Sequence, residues 1–200
     1  MSDIEGTLRA SGLTAIAGVD EAGRGPCAGP LVIAAVVLRD PKAPELARVR
    51  DSKALTHKVR EQLFDQIIEQ ALSYSIIEIS PEEIDRLGLH KCNLEGMRRA
   101  VNALHPTPDY VLTDGYAIEG LMVPTLAVWK GDQVALSISA ASILAKVYRD
   151  RIMIEAEELY PGYGFAAHKG YITSAHTAAL GTLGVTPIHR RSFSNIAALL

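Results

Sequence analysis

The chain has 200 residues, of which 48% are hydrophobic, and this is enough for one ordinary domain with a substantial core. The formal net charge of −3 excludes a uniformly basic surface, although a cluster of acids can hide a local basic region in such an average. Cys27 and Cys92 are too few for a disulfide framework or a zinc cluster. The first residues are acidic and no long apolar stretch follows, so we expect a cytoplasmic protein that does not bind membranes.

The predicted elements alternate between strands and helices. Short apolar runs flanked by Gly and Pro predict strands at 15–19, 31–38, 74–79, 110–113 and 125–129. Helical spacing of apolar residues, together with start and stop signals, predicts helices at 56–70, from Ser80 onward, and at 89–104, 133–159 and 173–183. We also expect Trp129 and the four Met residues to lie in the core.

This order of elements predicts the fold class. Strands at the start, followed by alternating helices and strands, favour an α/β layer structure with a mixed sheet. No repeat or long linker interrupts residues 1–200, so we expect a single domain. The Gly/Pro/Tyr-rich stretch 160–171 is the one compositional break, and it predicts a small C-terminal extension over about 160–200.

Four acids follow predicted strands. Asp20 and Glu21 end the first strand, Asp114 ends the strand YVLTD, and Asp132 follows the last strand. Because the carboxyl ends of neighbouring strands face a common crevice, these acids can converge. An all-oxygen site suits Mg²⁺ or Mn²⁺, and two such ions can drive phosphodiester hydrolysis. The alternatives are that Asp132 caps the long helix, and that Asp20 and Glu21 only cap a loop and pair with Arg24.

Two segments near the acids favour an anionic ligand. Gly23 and Gly25 lack a Cβ atom, so the backbone around Arg24 can approach a ligand closely. Ser52 and Lys53 in DSKALT precede a helix, where backbone N–H groups favour a phosphate. Taken singly, a glycine turn and a helix cap explain these two segments equally well.

Further candidates lie in the C-terminal half. Asp132, Ser139 and Lys146 are spaced by sevens, so they share one helix face that runs from the acids. Tyr171 in HKGY could stack on a sugar or a base. The basic HRRSF segment at 189–193 fits either a cationic surface or a solvated turn.

Taken in order, GVDEAGRGP, DSKALT, LTDG, KGD, SISAASILAKVYRDR, YGFAAHKGY and HRRSF resemble the motif series of bacterial ribonuclease HII. The resemblance covers roughly residues 15–195. It implies a ribonuclease H-like fold, with a mixed central sheet flanked by helices and a C-terminal extension that completes the substrate groove. It also implies metal-dependent cleavage of the RNA strand of RNA–DNA hybrids and a cut 5′ of a single ribonucleotide in duplex DNA, leaving 3′-hydroxyl and 5′-phosphate ends.

The resemblance also implies roles for individual residues. The metal-binding and catalytic carboxylates would be Asp20, Glu21, Asp114 and Asp132. The contacts to the ribose 2′-hydroxyl and adjacent phosphates would come from Gly23, Arg24 and Gly25, and Tyr171 would stack on the following deoxyribose. The phosphate contacts would be Ser52, Lys53, Ser139 and Lys146.

Two motifs depart from the family pattern. Thr113 stands in LTDG where we associate LVDG with the family, and Ala54 in DSKALT removes one expected phosphate contact. Neither change removes a carboxylate. Two alternatives stay open: another metal nuclease of the same superfold, and a non-catalytic module that binds RNA–DNA hybrids. We expect a monomer.

Overall fold

A computed structural model describes residues 4–49 and 55–200 of the chain. Its strands are β1 (Ile16–Ala22), β2 (Leu31–Leu38), β3 (Ala71–Ile79), β4 (Tyr110–Asp114) and β5 (Thr125–Val128). Its α-helices are α1 (Ile4–Ala10), α2 (His57–Gln70), α3 (Pro81–Leu87), α4 (Leu89–Asn102), α5 (Gly131–Val134), α6 (Leu136–Leu159), α7 (Phe165–His168), α8 (Ser174–Leu183) and α9 (Ser194–Ala197). A 3₁₀ turn covers Pro44–Leu46.

The strands form one mixed sheet in the order β3-β2-β1-β4-β5, which confirms the predicted α/β class. β2 is antiparallel to both β1 and β3, whereas β4 is parallel to β1 and β5 is parallel to β4. Parallel neighbours end at the same edge of a sheet. The carboxyl ends of β1, β4 and β5 therefore lie together, and the predicted acids follow or occupy these ends.

Helices cover both faces of the sheet because the interior strand β2 is apolar at every position and wholly buried. Successive side chains of a strand point to opposite faces. Val32 accordingly packs in one core cluster with Leu144 of α6, and Ile33 packs in a second cluster with Met97 of α4. The central strands are thus fixed from both sides.

A glycine in β1 lets α6 approach the sheet closely. A Cβ atom on Gly18 would lie 2.0 Å from the carbonyl carbon of Ser137, far inside any real contact. The backbone at the start of α6 therefore rests directly on β1. This contact also fixes the adjoining segment that carries Asp132.

The predicted helix over 133–159 is divided in the structure. Ala135 is extended, with φ −124° and ψ 126°, and separates α5 from α6. The carboxylate of Glu5 in α1 accepts hydrogen bonds from the backbone N–H groups of Leu136 (2.7 Å) and Ser137 (3.2 Å). Glu5 therefore caps α6 from a distant part of the chain, which satisfies N–H groups that a continuous helix would have used internally.

The prediction that Trp129 and the Met residues belong to the core is wrong for Trp129 and Met122 and is confirmed for Met97 and Met153, while Met1 lies outside the described residues. The side chain of Trp129 is 81% exposed, and that of Met122 is 99% exposed. Trp129 follows β5, which is the edge strand of the sheet and has only one neighbour. The residue lies at the rim of the sheet, beside the segment that leads to Asp132.

The C-terminal residues form short helices that pack on the rest of the chain. Phe165, Leu180 and Ile196 share one apolar cluster with Met153 of α6 and with Cys27. The extension is therefore anchored both to the long helix and to the loop after β1. In the part of the chain that the structure describes, no helix is long and apolar enough to cross a membrane.

We predict that Gly18→Ala lowers the free energy of unfolding by at least about 3 kcal/mol, because its methyl group would force the backbone of α6 away from β1. Urea denaturation followed by circular dichroism measures this loss. Gly181→Ala is the control, since a Cβ at Gly181 in α8 meets nothing within 4 Å. It should leave stability unchanged or raise it by about 0.5–1 kcal/mol. Equal effects of the two substitutions would contradict the proposed close approach.

Candidate active site

Three of the predicted acids lie together at the carboxyl ends of β1 and β4. Burial raises the pKa of Asp20 well above its ordinary value, and the charges of Glu21 and Asp114 raise it further. Burial also raises the pKa of Glu21 from 4.5 to about 7, against the opposing charge of Arg24 and with a further rise from Asp114. Neighbouring carboxylates thus disfavour the ionised forms of Asp20 and Glu21, as expected for acids in one site.

Backbone hydrogen bonds orient this group of acids. The N–H of Glu21 donates to Oδ1 of Asp20 at 2.7 Å, and the N–H of Gly131 donates to Oδ1 of Asp114 at 2.7 Å. The second bond brings the start of α5, with the buried Asp132, to the end of β4. The N-cap of α5 is Lys130 and that of α6 is Ala135, so the alternative that Asp132 is the N-cap of the long helix is wrong.

The donor set fits a hard divalent cation. All the candidate donors are carboxylate oxygens, which suit Mg²⁺ or Mn²⁺ rather than zinc. Oε2 of Glu21 is buried and has no hydrogen-bond partner among the described residues. Within residues 4–49 and 55–200, no three His, Cys, Asp or Glu side chains are already arranged as a closed ligand cluster. Since the acids repel one another, a cation between them would favour a tighter arrangement.

A cavity of about 430 Å³ opens beside Glu21. Several predicted substrate residues line it: Gly23, Arg24, Gly25, Lys146 and Tyr171. Nζ of Lys146 lies 2.6 Å from Oδ1 of Asp150, and its side chain is 39% exposed. The structure therefore brings these residues from distant parts of the sequence to one place next to the acids.

The loop of residues 23–25 is shaped by what surrounds it. Gly23 has φ +92°, and a Cβ atom there would lie 2.1 Å from Nε of Arg149. A Cβ atom on Gly25 would lie 3.3 Å from the ring of Tyr171. Glycine is thus required at position 23 by backbone conformation and by space, and at position 25 it lets the tyrosine ring come close.

Arg24 extends from this loop toward the acids and an aromatic ring. Its Nη1 lies 3.6 Å from Oε1 of Glu21, and its guanidinium stands 4.7 Å from the centroid of the Tyr116 ring. The ion pair between Glu21 and Arg24, which the sequence offered as an alternative role for the acids, is therefore present. Thr113, which departs from the family pattern, also stabilises the segment that carries Tyr116, because its hydroxyl donates a hydrogen bond to the carbonyl of Tyr116.

The structure contradicts the prediction that Ser139 contacts phosphate. Ser139 is 1% exposed, and its hydroxyl shares its proton between the carbonyl oxygens of Val49 (2.9 Å) and Asp132 (2.8 Å). The spacing by sevens identified the correct helix, but it could not show that this part of the face is covered by protein. The predicted contacts Ser52 and Lys53 lie outside the described residues.

Three further polar residues lie near the acids: the sequence placed Ser142 beside the helix face of Ser139 and Lys146, whereas Arg60 and Asn93 were missed. Ser142 lines the cavity and lowers the pKa of Asp20 by hydrogen bonding, and Arg60 of α2 lines the same cavity. Asn93 of α4 is fully buried, and its side chain lowers the pKa of Glu21. Neither polar atom of its amide has another hydrogen-bond partner in the described part of the chain. A polar Asn on the apolar face of a predicted helix was the available signal for this residue.

Comparison with known proteins agrees with this fold and site. The family model described as Ribonuclease HII matches residues 17–196. The ribonuclease HII of Rhodococcus opacus (strain B4) is 57% identical over 197 residues, which are 98% of this chain and 87% of that protein. The crystal structure of ribonuclease H2 from Pyrococcus horikoshii OT3 is similar with a TM-score of 0.80 and 30% identity, over 92% of this chain and 96% of that one.

A Bst ribonuclease HIII solved in complex with Mn²⁺ shares the fold, with a TM-score of 0.74 and 19% identity over 92% of this chain and 68% of that one. The fold and the similarities define the class of protein as an endoribonuclease of the ribonuclease H type, a hydrolase that cuts phosphodiester bonds. Within that class, the chain belongs to the ribonuclease HII family.

The raised pKa of Glu21 predicts how metal-free stability depends on pH. The folded state holds the proton of Glu21 up to about pH 7, whereas the unfolded chain releases it near 4.5. Stability is therefore lost as the pH rises from about 4.5 to about 7. We predict that Glu21→Gln, which cannot ionise, is more stable than wild type at pH 8 by up to about 3 kcal/mol and nearly equal to it at pH 4.

Thermal and urea unfolding in the presence of a chelator, at both pH values, measure this difference. Glu158→Gln on the exposed side of α6 is the control and should change stability little at either pH. A Glu21→Gln variant that is less stable than wild type at pH 8 would contradict the proposed cost of burying the ionised Glu21 carboxylate.

Proposed function

We propose that the chain uses divalent metal ions to hydrolyse the RNA strand of RNA–DNA hybrids and to cut 5′ of single ribonucleotides in duplex DNA. The products carry 3′-hydroxyl and 5′-phosphate ends. One observation carries the proposal: Asp20, Glu21 and Asp114 share one edge of the sheet, beside a cavity lined by the loop 23–25 and Tyr171. Family membership supports the same activity.

In the proposed mechanism, Asp20, Glu21, Asp114 and Asp132 hold Mg²⁺ or Mn²⁺. When bound, these ions would lower the pKa of a water molecule and stabilise the leaving oxygen of the scissile phosphodiester. The carboxylates must lose their protons to bind metal, and the raised pKa values of Asp20 and Glu21 make this loss dependent on a nearby cation. The protein groups thus hold the ions and set the pH range in which they bind.

The remaining cavity residues account for substrate choice. The glycine loop lets the backbone at residues 23–25 approach the ribose 2′-hydroxyl, the group that distinguishes RNA from DNA. Lys146 places a cation on the cavity, where it contacts backbone phosphate. The half-exposed ring of Tyr171 stacks on the deoxyribose that follows the ribonucleotide. The predicted phosphate contacts of Ser52 and Lys53 belong to the same proposal.

Strand scission of an end-labelled duplex that carries one ribonucleotide tests this function. The reaction is run with Mg²⁺, with Mn²⁺ and with a chelator, beside an RNA–DNA hybrid and an all-DNA duplex. We expect a metal-dependent cut 5′ of the ribonucleotide and no cut in DNA. Cleavage of the hybrid alone would remove the junction-reading part of the proposal, and binding without cleavage of either substrate would leave a hybrid-binding module.

We predict that Asp20→Asn lowers turnover roughly 10³-fold or more while folding and hybrid binding are kept, because it removes a metal ligand and not a core group. Rates from the scission assay, melting curves and hybrid affinity measure the three properties. Asp65→Asn, an exposed position on α2, is the control and should cleave like wild type. Wild-type turnover in Asp20→Asn would refute the assignment of the metal site.

We predict that Tyr171→Ala slows cleavage at a lone ribonucleotide more than cleavage of a long hybrid. The loss on the lone ribonucleotide should be about 10-fold or more, since stacking of an aromatic ring contributes about 1–3 kcal/mol. Tyr171→Phe keeps the ring and should behave like wild type on both substrates. Equal losses on the two substrates in Tyr171→Ala would argue against a role in reading the junction.

A further inference from the structure

Arg190 has a buried guanidinium, and each of its three nitrogens donates to a backbone carbonyl of the loop after β1. It is 0% exposed, and it donates from Nη2 to the carbonyl of Gly23 (2.6 Å), from Nη1 to that of Arg24 (3.1 Å) and from Nε to that of Gly29 (3.1 Å). The planar guanidinium has the donor geometry to bridge several acceptors at once, which a lysine lacks. One side chain therefore ties both ends of the segment 23–29.

Arg149 makes a second set of such bonds from the opposite direction. It is 1% exposed, and it donates to the carbonyls of Pro30 (2.9 Å), Ala28 (3.0 Å) and Lys169 (2.9 Å). Lys169 lies two positions before Tyr171, so this side chain links the loop to the segment that carries the tyrosine. The missing Cβ of Gly23 provides the space that the guanidinium occupies.

The burial of the Arg149 and Arg190 charges is electrostatically unfavourable. In the part of the chain that the structure describes, neither guanidinium lies within 4.0 Å of a carboxylate oxygen. Burial lowers the pKa of Arg149 to about 10 and that of Arg190 to about 9. A buried charge without a counter-ion needs hydrogen-bond acceptors, and here each guanidinium nitrogen of both residues donates to a backbone carbonyl.

The bonds to Arg190 determine where the loop's N–H groups point. In a trans peptide the C=O and the N–H point in opposite directions. The carbonyls of Gly23 and Arg24 face Arg190, so the N–H groups of Arg24 and Gly25 face away from it. Neither of these N–H groups makes a hydrogen bond to the described residues. Both residues line the cavity.

A histidine network connects the same two segments. Nδ1 of His176 donates to the carbonyl of Tyr171 (3.0 Å), so Nε2 of His176 accepts from Nε2 of His189 (3.0 Å). Nδ1 of His189 in turn accepts from the N–H of Thr186 (2.9 Å). His189 directly precedes Arg190, so the backbone of Tyr171 and the side chain that holds the loop are anchored in one buried unit.

We propose that Arg190 is a positioning residue for substrate choice, which holds the loop 23–25 with its N–H groups toward the cavity, and that Arg149 supports it. The inference rests on the proposed function, in which this loop reads the ribose. It assigns to the C-terminal extension a part in selecting single ribonucleotides, through a residue that does not touch the substrate. HRRSF therefore contains one buried arginine with a positioning role and one exposed arginine.

The test compares Arg190→Lys with Arg191→Lys, the same substitution at the exposed neighbouring arginine. For each variant, kcat/KM is measured on a duplex with one ribonucleotide and on a long RNA–DNA hybrid. We expect Arg190→Lys to lose about 10-fold or more on the single ribonucleotide, on the scale of about 1.4 kcal/mol, and less than about 3-fold on the hybrid. Arg191→Lys should match wild type on both substrates. Equal losses on both substrates, or none, in Arg190→Lys would overturn the inference.

Amide hydrogen exchange gives a readout that does not depend on cleavage. The N–H of Cys27 donates to Gly170 (3.0 Å) and that of Gly29 donates to Ile188 (2.9 Å), so both report on how firmly the loop is held. In Arg190→Lys we expect these two amides to exchange at least about 10-fold faster, while amides of β1 and β4 keep their protection. Unchanged exchange at Cys27 and Gly29 would overturn the role of Arg190 in holding the loop.

The measurements on the wild-type protein distinguish failure of this inference from failure of the proposed function on which it rests. If wild type cuts both substrates and Arg190→Lys loses activity equally on both, the proposed function stands and the inference fails. If wild type cuts the hybrid but not the single ribonucleotide, both the junction-reading function and the inference fail. Should Arg190→Lys not fold, Arg149→Lys provides the same comparison, because it loses bonds to Pro30 and Ala28 of the same segment.

Discussion

The burial of like charges at one edge of the sheet is the constraint on which the rest of this structure depends. The charges of Glu21 and Asp114 raise the pKa of Asp20, the charge of Asp114 raises that of Glu21, and Arg24 lies 3.6 Å from Glu21. Electrostatics alone would separate these groups. They stay together because they are carried on β1 and β4, whose pairing and packing are fixed by the core on both faces.

The same principle, with the opposite charge, applies on the other side of the loop. Arg149 and Arg190 are buried without a nearby carboxylate in the described residues, and backbone carbonyls satisfy their donors. The loop 23–25 thus lies between a group of acids and a pair of cations. For a polyanionic substrate this arrangement has a consequence: the acids repel phosphate until a cation neutralises them. Metal binding would therefore promote both hydrolysis and productive binding.

Sequence reasoning reached the acids because it needed only local runs and one rule of topology. Strand-like segments ending in Asp20, Glu21 and Asp114 imply a shared edge once the sheet contains parallel neighbours, and β1 and β4 are such neighbours. The mixed sheet and most helix positions followed from periodicity in the same way. These features depend on residues close together in the chain, which a single sequence displays directly.

The features that sequence reasoning missed depend on distant partners. The break at Ala135 arises because Glu5 caps α6 from the other end of the chain. Spacing placed Ser139 on the correct helix face, but the carbonyl of Val49 that covers its hydroxyl comes from elsewhere. Trp129 is exposed because it follows an edge strand, and edge position is a property of the assembled sheet. Hydrophobicity alone cannot supply this information.

The burial of Arg190 also depends on distant partners, and a single sequence therefore could not predict it. In the sequence Arg190 is one of two adjacent arginines, and nothing local distinguishes the buried one from the exposed one. The difference arises from the carbonyls of residues 23–29, which are brought to Arg190 by the pairing of Ala28 with His189. The acids are held by the sheet, whereas the loop beside them is held by bonds from the C-terminal residues. If the proposed function is correct, hydrolysis and substrate choice would therefore depend on different parts of the chain, and substitutions near Arg190 would alter which phosphodiester is presented without altering the proposed metal ligands.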